Sequence, residues 1–229
     1  MIFKIVIPAR KGSKRIPGKN VIKLGGKNLI CYSIEFALNL FSKENIWINT
    51  NCEKTIEIAQ NYGVNFIQRP ENLCRDETTT FEVLQHQQDF FEKRNVSLDA
   101  YILLQPTNPF RKKEELMNAI SLYQRLEYKS VFSCSKILKK VGAVENNLFH
   151  PLNYKYGMRS QDMNHTLMYE NGSFYIFSPS ILSEKKIITE KSYPFECNSV
   201  GATIDIDDYY DLHIAESFLK WKQNENYNY

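Results

Sequence analysis

The sequence contains no run of about 18 apolar residues, which excludes a membrane-spanning helix. The N-terminus turns charged at Lys4 and offers no signal-peptide core. Cysteine is scarce: Cys31, Cys52, Cys74, Cys134 and Cys197 are odd in number, widely spaced and without a Cys-x-x-Cys pair. That pattern excludes a disulfide framework and a zinc ribbon, and fits a reducing, cytoplasmic setting. No His-Glu-x-x-His occurs, no Gly-x-Ser-x-Gly occurs, and His86, His150, His165 and His213 are dispersed. A covalent serine or cysteine mechanism therefore has no anchor. Excess charge is also missing. The 29 basic and 26 acidic residues leave +3, too little to argue for nucleic acid.

What remains is an ordinary globular composition, 43% hydrophobic, over 229 residues. Short β-rich runs alternate with helical spacing. Strands are predicted at Ile2–Ala9, Ile46–Thr50, Val64–Gln68, Tyr101–Gln105 and Ser130–Ser135. Helices are predicted at Leu29–Leu40, at Glu53–Tyr62 ending on Gly63, at Thr80–Lys93 and at Lys113–Leu126. This order predicts an α/β fold, Rossmann-like, with a mainly parallel sheet covered by helices. The rhythm breaks between about 139 and 200, where Asn and Gly punctuate the chain, including Asn164. That stretch reads as an insertion leaving the sheet, a lid or subunit-contact arm, although Ser173–Phe177 has strand character and Pro179 can open a short helix. A last strand (Ala202–Ile206) and helix (Tyr209–Lys222) resume the pattern, and the tail Gln223–Tyr229 is expected to fray. No repeat or linker marks a second domain, so residues 1–229 read as one.

Directly after the first strand comes Ala9-Arg10-Lys11-Gly12-Ser13-Lys14-Arg15-Ile16-Pro17-Gly18-Lys19-Asn20, with five cations and two glycines. Ligands of open α/β sheets sit beyond the carboxyl ends of strands. Glycines there let backbone N–H groups approach phosphate, and Lys and Arg neutralise it. The spacing is not a P-loop: five residues separate Gly12 from Gly18, and Asn20 follows Lys19. No Gly-x-Gly-x-x-Gly is present either. The alternative is a merely solvated charge run.

Near the other end, Asp205-Ile206-Asp207 closes the last predicted strand. Alternation by two places both carboxylates on one side, at the rim where the basic loop lies. Mg²⁺ is held by one or two carboxylates with substrate phosphates and water completing its shell. The competing role is capping, with Asp207 or Asp208 at the start of the following helix.

The loop IPARKGSKRIPGKN resembles the signature of the acylneuraminate cytidylyltransferases, the CMP-sialic acid synthetases and relatives that activate other nine-carbon sugar acids. LLQPTNPFR (103–111), YENGSFYIF (169–177) and TIDIDDYYDL (203–212) follow in the family's order. The usual glycines at positions 11 and 15 are Lys11 and Arg15 here. The resemblance implies a nucleotide-diphospho-sugar transferase fold with an inserted dimerisation segment. It implies that CTP and a nonulosonic acid give the CMP-sugar acid and pyrophosphate with Mg²⁺ or Mn²⁺, in a cytoplasmic homodimer whose subunits complete each other's sites. Arg10, Lys19 and Asp207 would be catalytic, and Asp205 and Asp207 would hold the metal. Ala9, Arg10, Gly12, Ser13, Lys19, Asn20, Arg69, Thr78 and Thr80 would bind the nucleotide. Gln105, Arg159, Asn171 and Gly172 would face the sugar, Arg159 through its carboxylate. Arg111 closes its motif and could equally be a surface ion pair. No residue stands out as a general base. A CMP-KDO-type synthetase and a non-catalytic sugar-nucleotide binding module are the rival readings.

Overall fold

The computed structural model of the protein describes residues 1–125, 129–163 and 167–224. Its first part runs β1 (Phe3–Pro8), β2 (Lys23–Leu24), β3 (Lys27–Asn28), α1 (Leu29–Leu38), β4 (Ile46–Thr50), α2 (Glu53–Tyr62), β5 (Asn65–Gln68) and α3 (Thr80–Lys93). Then come β6 (Ala100–Leu103), α4 (Lys113–Arg125), β7 (Ser130–Lys136), β8 (Gly142–Glu145) and β9 (Leu148–Pro151). The chain ends with β10 (Met168–Phe177), β11 (Ser192–Glu196) and α5 (Tyr209–Asn224). Asn164, His165 and the end of the expected fraying tail, residues 225–229, lie outside the described residues.

Seven strands form one sheet in the order β11-β7-β10-β6-β1-β4-β5. β1 pairs in parallel with β4, Ile5 opposite Ile46, and with β6, Ile5 opposite Ile102. Alternation along each strand feeds two cores. Ile5, Ile7, Ile48 and Ile102 pack under α1, α2 and α4, while Val6, Tyr101 and Leu103 meet Leu84 and Phe91 of α3. Both faces are covered, which is why these strands read as continuous apolar runs. The α/β expectation holds, with a mainly parallel sheet between helical layers.

Two expectations need correction. The segment 139–200 does not leave the sheet as a whole. β8 and β9 form a separate hairpin, but β10 returns to the middle of the sheet, antiparallel to both β6 and β7, and β11 adds a parallel edge. Phe174, Tyr175, Ile176 and Phe177 are buried within this chain and need no partner subunit to cover them. Four consecutive apolar residues mark a strand covered on both faces, not an arm. The second correction concerns Ala202–Ile206. A 3-10 turn spans Val200–Thr203, and the residues after it are extended without joining the sheet. The apolar alternation is real, since Ile204 and Ile206 are buried and Asp205 between them is exposed. A period of two reports one buried face, however, not a ladder. Here the backbone is tied across by Ile206 N–H to Thr107 O (2.8 Å), and the Asn108 amide donates to Ile204 O (3.3 Å).

Gly63 ends α2 with φ +67°, and its N–H caps the Gln60 carbonyl at 3.0 Å. α3 starts on a capping box. The Thr79 hydroxyl accepts from Glu82 N–H, and the Glu82 carboxylate accepts from Thr79 N–H at 2.7 Å. Thr79→Ala is expected to cost about 1 kcal/mol of global stability, measurable as a lower urea midpoint at unchanged slope.

Candidate active site

A third apolar cluster builds the floor of the site. Ile16, in the middle of the basic loop, is fully buried against Leu24, Leu29, Ile204, Ile206 and Ala215. The cationic loop and the acidic segment are thereby pinned together across 187 positions, with Lys19 Nζ donating to Ile206 O (3.1 Å). Gly18 turns the loop at φ +66°, a left-handed conformation that suits glycine.

Above this floor lies a cleft of about 410 Å³ at the carboxyl ends of β1, β5 and β6. It is lined by Arg10, Gly12, Ser13, Lys19 and Asn20 from the loop and by Arg69 from the end of β5. Thr78 and Thr80 at the start of α3, Gln105 after β6, and Asp207 also line it. Ala9 lies just beneath the surface. Its N–H donates to Asn49 O (2.9 Å) and its carbonyl accepts from the Thr50 hydroxyl (2.5 Å), which ties the loop's root to β4. Asn20 holds the loop from the other end by donating to Arg10 O (2.9 Å).

Four of the five cations are paired with two aspartates. Lys19 donates to Asp207 Oδ1 at 2.9 Å and Arg15 to Asp207 Oδ2 at 2.7 Å. Arg10 and Lys14 share Asp76, at 2.7 and 2.9 Å. Desolvation pushes the Asp207 pKa upward, but Lys19 and Arg15 outweigh it and hold the carboxyl below its ordinary value. Asp205 is raised instead, first by the protein mass around its carboxyl, with the Asp207 charge adding and a hydrogen bond from Thr107 opposing. Capping of α5 falls to neither of them. Asp208 Oδ1 accepts from Tyr210 and Asp211 N–H, and Asp211 Oδ2 reaches back to the N–H groups of Asp207 and Asp208. Asp207 lines the cleft, whereas Asp205 is not among the lining residues and sits beside it against Thr107.

Arg69 has a different environment. It is 5% exposed, and among the described residues its guanidinium donates only to Asn49, to Oδ1 at 2.8 Å and to O at 2.9 Å. Burial lowers its pKa to about 10, so it stays cationic at neutral pH. A buried cation held by an amide and a carbonyl alone retains attraction for a ligand rich in acceptors.

The structure does not bring every expected residue to this cleft. Arg159 is largely exposed and forms a bidentate pair with Asp162 of its own 3-10 turn, at 2.7 and 3.1 Å. Asn171 is buried, donating to Ser135 Oγ and accepting from Ser173 N–H, so it shapes the backbone at Gly172. Gly172 (φ +72°) lies against Gln105, since a Cβ there would sit 3.0 Å from Gln105 Oε1. Asp76, Asn49 and Thr107 were missed as site residues. Asn49 had a sequence signal, as a polar residue inside the buried run IWINT. Asp76 had none, because its partner Arg10 is 66 positions away.

A family model described as cytidylyltransferase matches residues 4–229. The chain belongs to that family. This cytidylyltransferase is 34% identical to the CMP-N,N'-diacetyllegionaminic acid synthase of Legionella pneumophila, over 95% of this chain and 96% of that one. It is 31% identical to the pseudaminic acid cytidylyltransferase of Campylobacter jejuni, over 94% and 95% of the two chains. It is also 31% identical to the N-acylneuraminate cytidylyltransferase of Escherichia coli, covering 96% of this chain but 52% of that protein, so it spans about half of that relative. Among solved structures, a CMP:2-keto-3-deoxy-manno-octonic acid synthetase complexed with CTP superposes with a TM-score of 0.70 at 19% identity, covering 97% of this chain and 100% of that one. A 4-diphosphocytidyl-2C-methyl-D-erythritol synthase from Anaerococcus prevotii gives 0.62 at 14%, covering 96% and 98%. At those identities the two structures share the fold. The motif resemblance therefore stands, and the protein is a nucleotidyltransferase.

The cleft makes unequal use of its lysines. The Lys19 side chain is 13% exposed and Lys14 is 79% exposed. A desolvated charge interacts more strongly than a solvated one. Lys19→Ala is expected to weaken binding of inorganic triphosphate about tenfold or more, some 1.4 kcal/mol, and Lys14→Ala about twofold. Isothermal calorimetry measures this, and equal small losses would return the loop to a solvated charge run.

Proposed function

We propose that this cytidylyltransferase activates a nonulosonic acid. The anomeric hydroxyl attacks the α-phosphorus of CTP in line, CMP is transferred to the sugar oxygen, and pyrophosphate leaves. The observation that carries this reading is the single cleft into which the fold gathers the cationic loop, the buried Arg69 and Gln105. The names of the relatives matched over nearly their whole length, a diacetyllegionaminic acid synthase and a pseudaminic acid cytidylyltransferase, support the acceptor class.

In this reading Arg10 and Lys19 neutralise the triphosphate, with Gly12 and Ser13 letting the backbone approach it. Asn20 and Arg69 hold the nucleoside, with Thr78 and Thr80 beside it. Gln105 orients the sugar acid. Most of the rate enhancement then comes from positioning and charge stabilisation. Asp205 and Asp207 fit a divalent cation that arrives with the nucleotide. They are two carboxylates two residues apart, and no third His, Cys, Asp or Glu joins them in a cluster among the described residues. That donor set leaves room for phosphate oxygens, as Mg²⁺ or Mn²⁺ requires. When bound, the ion would supply further charge neutralisation at the polyphosphate. Lys19 and Arg15 hold Asp207 until then.

The test is pyrophosphate release with CTP against sialic, legionaminic, pseudaminic and KDN-type acids, with and without Mg²⁺. One acid should be turned over in a metal-dependent way, and Asp207→Asn should reduce kcat by orders of magnitude while the circular dichroism spectrum is unchanged. Full metal-dependent turnover in that variant would remove Asp207 from the site.

We also assign a homodimer to the active form. The β8–β9 hairpin and its flanks expose Val144, Leu148, Phe149, Leu152 and Tyr156, an apolar group suited to a second copy. Arg159 lies outside its own cleft, so contact with a sugar carboxylate requires the cleft of the other subunit. We read the reaction as cytoplasmic, a compartment that would keep the five free thiols reduced. No helix among the described residues is long and apolar enough to cross a membrane. Exchanging subunits between inactive Arg159→Ala and Asp207→Asn proteins should restore activity to about a quarter of the sites by random pairing. A fully active monomer in sedimentation, or no recovery on mixing, would refute the shared site.

A further inference from the structure

Arg111 fits neither of its expected roles. It makes no surface ion pair among the described residues, and its guanidinium is turned inward on three protein acceptors. Nε donates to Ser173 O at 2.5 Å, Nη1 to Ser33 Oγ at 3.0 Å and Nη2 to Gln105 O at 2.5 Å. Burial lowers its pKa to about 9, opposed by the charge of Asp205, so it remains cationic at neutral pH. Taking a guanidinium out of water is costly, and two carbonyls and a hydroxyl repay less than a carboxylate. A cation kept there needs a geometric reason.

The reason lies in what the three acceptors belong to. Gln105 O lies two residues past the end of β6. Ser173 O lies where the β10–β7 ladder is interrupted, between Glu170 and Tyr175. Ser33 is a buried residue of α1, on the face packed against the sheet. One planar fork therefore ties together two backbone segments that the sheet does not pair, and braces them on a helix. Those segments meet at the Gln105–Gly172 contact, which a single methyl group would disturb. Asn108 adds a second tie by donating to Asn171 O at 2.8 Å.

We infer that Arg111 is a positioning residue for the acceptor side of the reaction, holding Gln105 and Gly172 in register so that the Gln105 amide faces the sugar acid. This rests on the proposed CTP-dependent activation of a sugar acid. Lysine keeps the charge at this position but has no planar fork, so it cannot bridge both carbonyls in one plane.

Arg111→Lys is expected to raise the KM for the sugar acid about ten- to a hundredfold, because small misplacements of a substrate contact are costly. The calorimetric Kd for CTP should stay within about twofold of wild type, and the far-ultraviolet circular dichroism should be unchanged. Gly172→Ala, which leaves Arg111 intact and pushes on both Asn108 Oδ1 and Gln105 Oε1, should show the same split. It decides the question if Arg111→Lys does not fold. An unchanged acid KM in a folded Arg111→Lys protein, or equal losses for CTP and acid, would overturn the inference. If wild type itself turns over no acid in the same assay, the function reading falls, and this inference falls with it.

Discussion

Five cations between residues 10 and 19 repel one another, and the site depends on how that repulsion is contained. Two unit charges 4 Å apart interact by about 1 kcal/mol in bulk water and about 4 kcal/mol near a protein surface. A flexible loop would relieve the strain by spreading into solvent. This one is held by apolar packing at Ile16, which ties it to Ile204, Ile206 and α5. Asp76 and Asp207 then supply the counter-charge, each accepting two cations. The same arrangement leaves the cations with partners that a polyanion would outweigh, since a triphosphate carries more negative charge than two carboxylates do.

The position of the cleft follows from strand order. β1 has β4 on one side and β6 on the other, both parallel to it. Connections leaving β1 and β6 diverge there and open a crevice at their carboxyl ends. The basic loop emerges on one side and Gln105-Pro106-Thr107 on the other. Inserting the antiparallel β10 beside β6 brings Gly172 against Gln105, and Arg111 bridges the backbone between them. That wall of the cleft is thus built from a motif and a strand far apart in sequence.

Four aspartates within seven residues divide the work at the opposite wall. Asp208 and Asp211 satisfy the first turn of α5, where orphan N–H groups require acceptors. Asp205 and Asp207 are released from that duty, and their opposite pKa displacements reflect their neighbours. Both are desolvated; Lys19 and Arg15 outweigh this at Asp207, whereas at Asp205 desolvation prevails and the Asp207 charge adds to it.

Local pattern alone determined most of the element list. β4, α2 and α3 have the bounds expected from spacing, capping residues and Gly63, because those signals act within a few residues. The loop and Asp-x-Asp were legible for the same reason, since charge density and period are local properties. Tertiary structure alone decided where β10 goes, because a run buried on both faces does not name its neighbours. It decided that Ile204–Asp207 stays outside the sheet, because alternation records a buried face and not a paired backbone. It also assigned Asp76, Asn49 and Arg111 their partners and left Arg159 outside its own cleft. Those contacts join residues that only the folded chain brings together, and no spacing in the sequence encodes the distance between them.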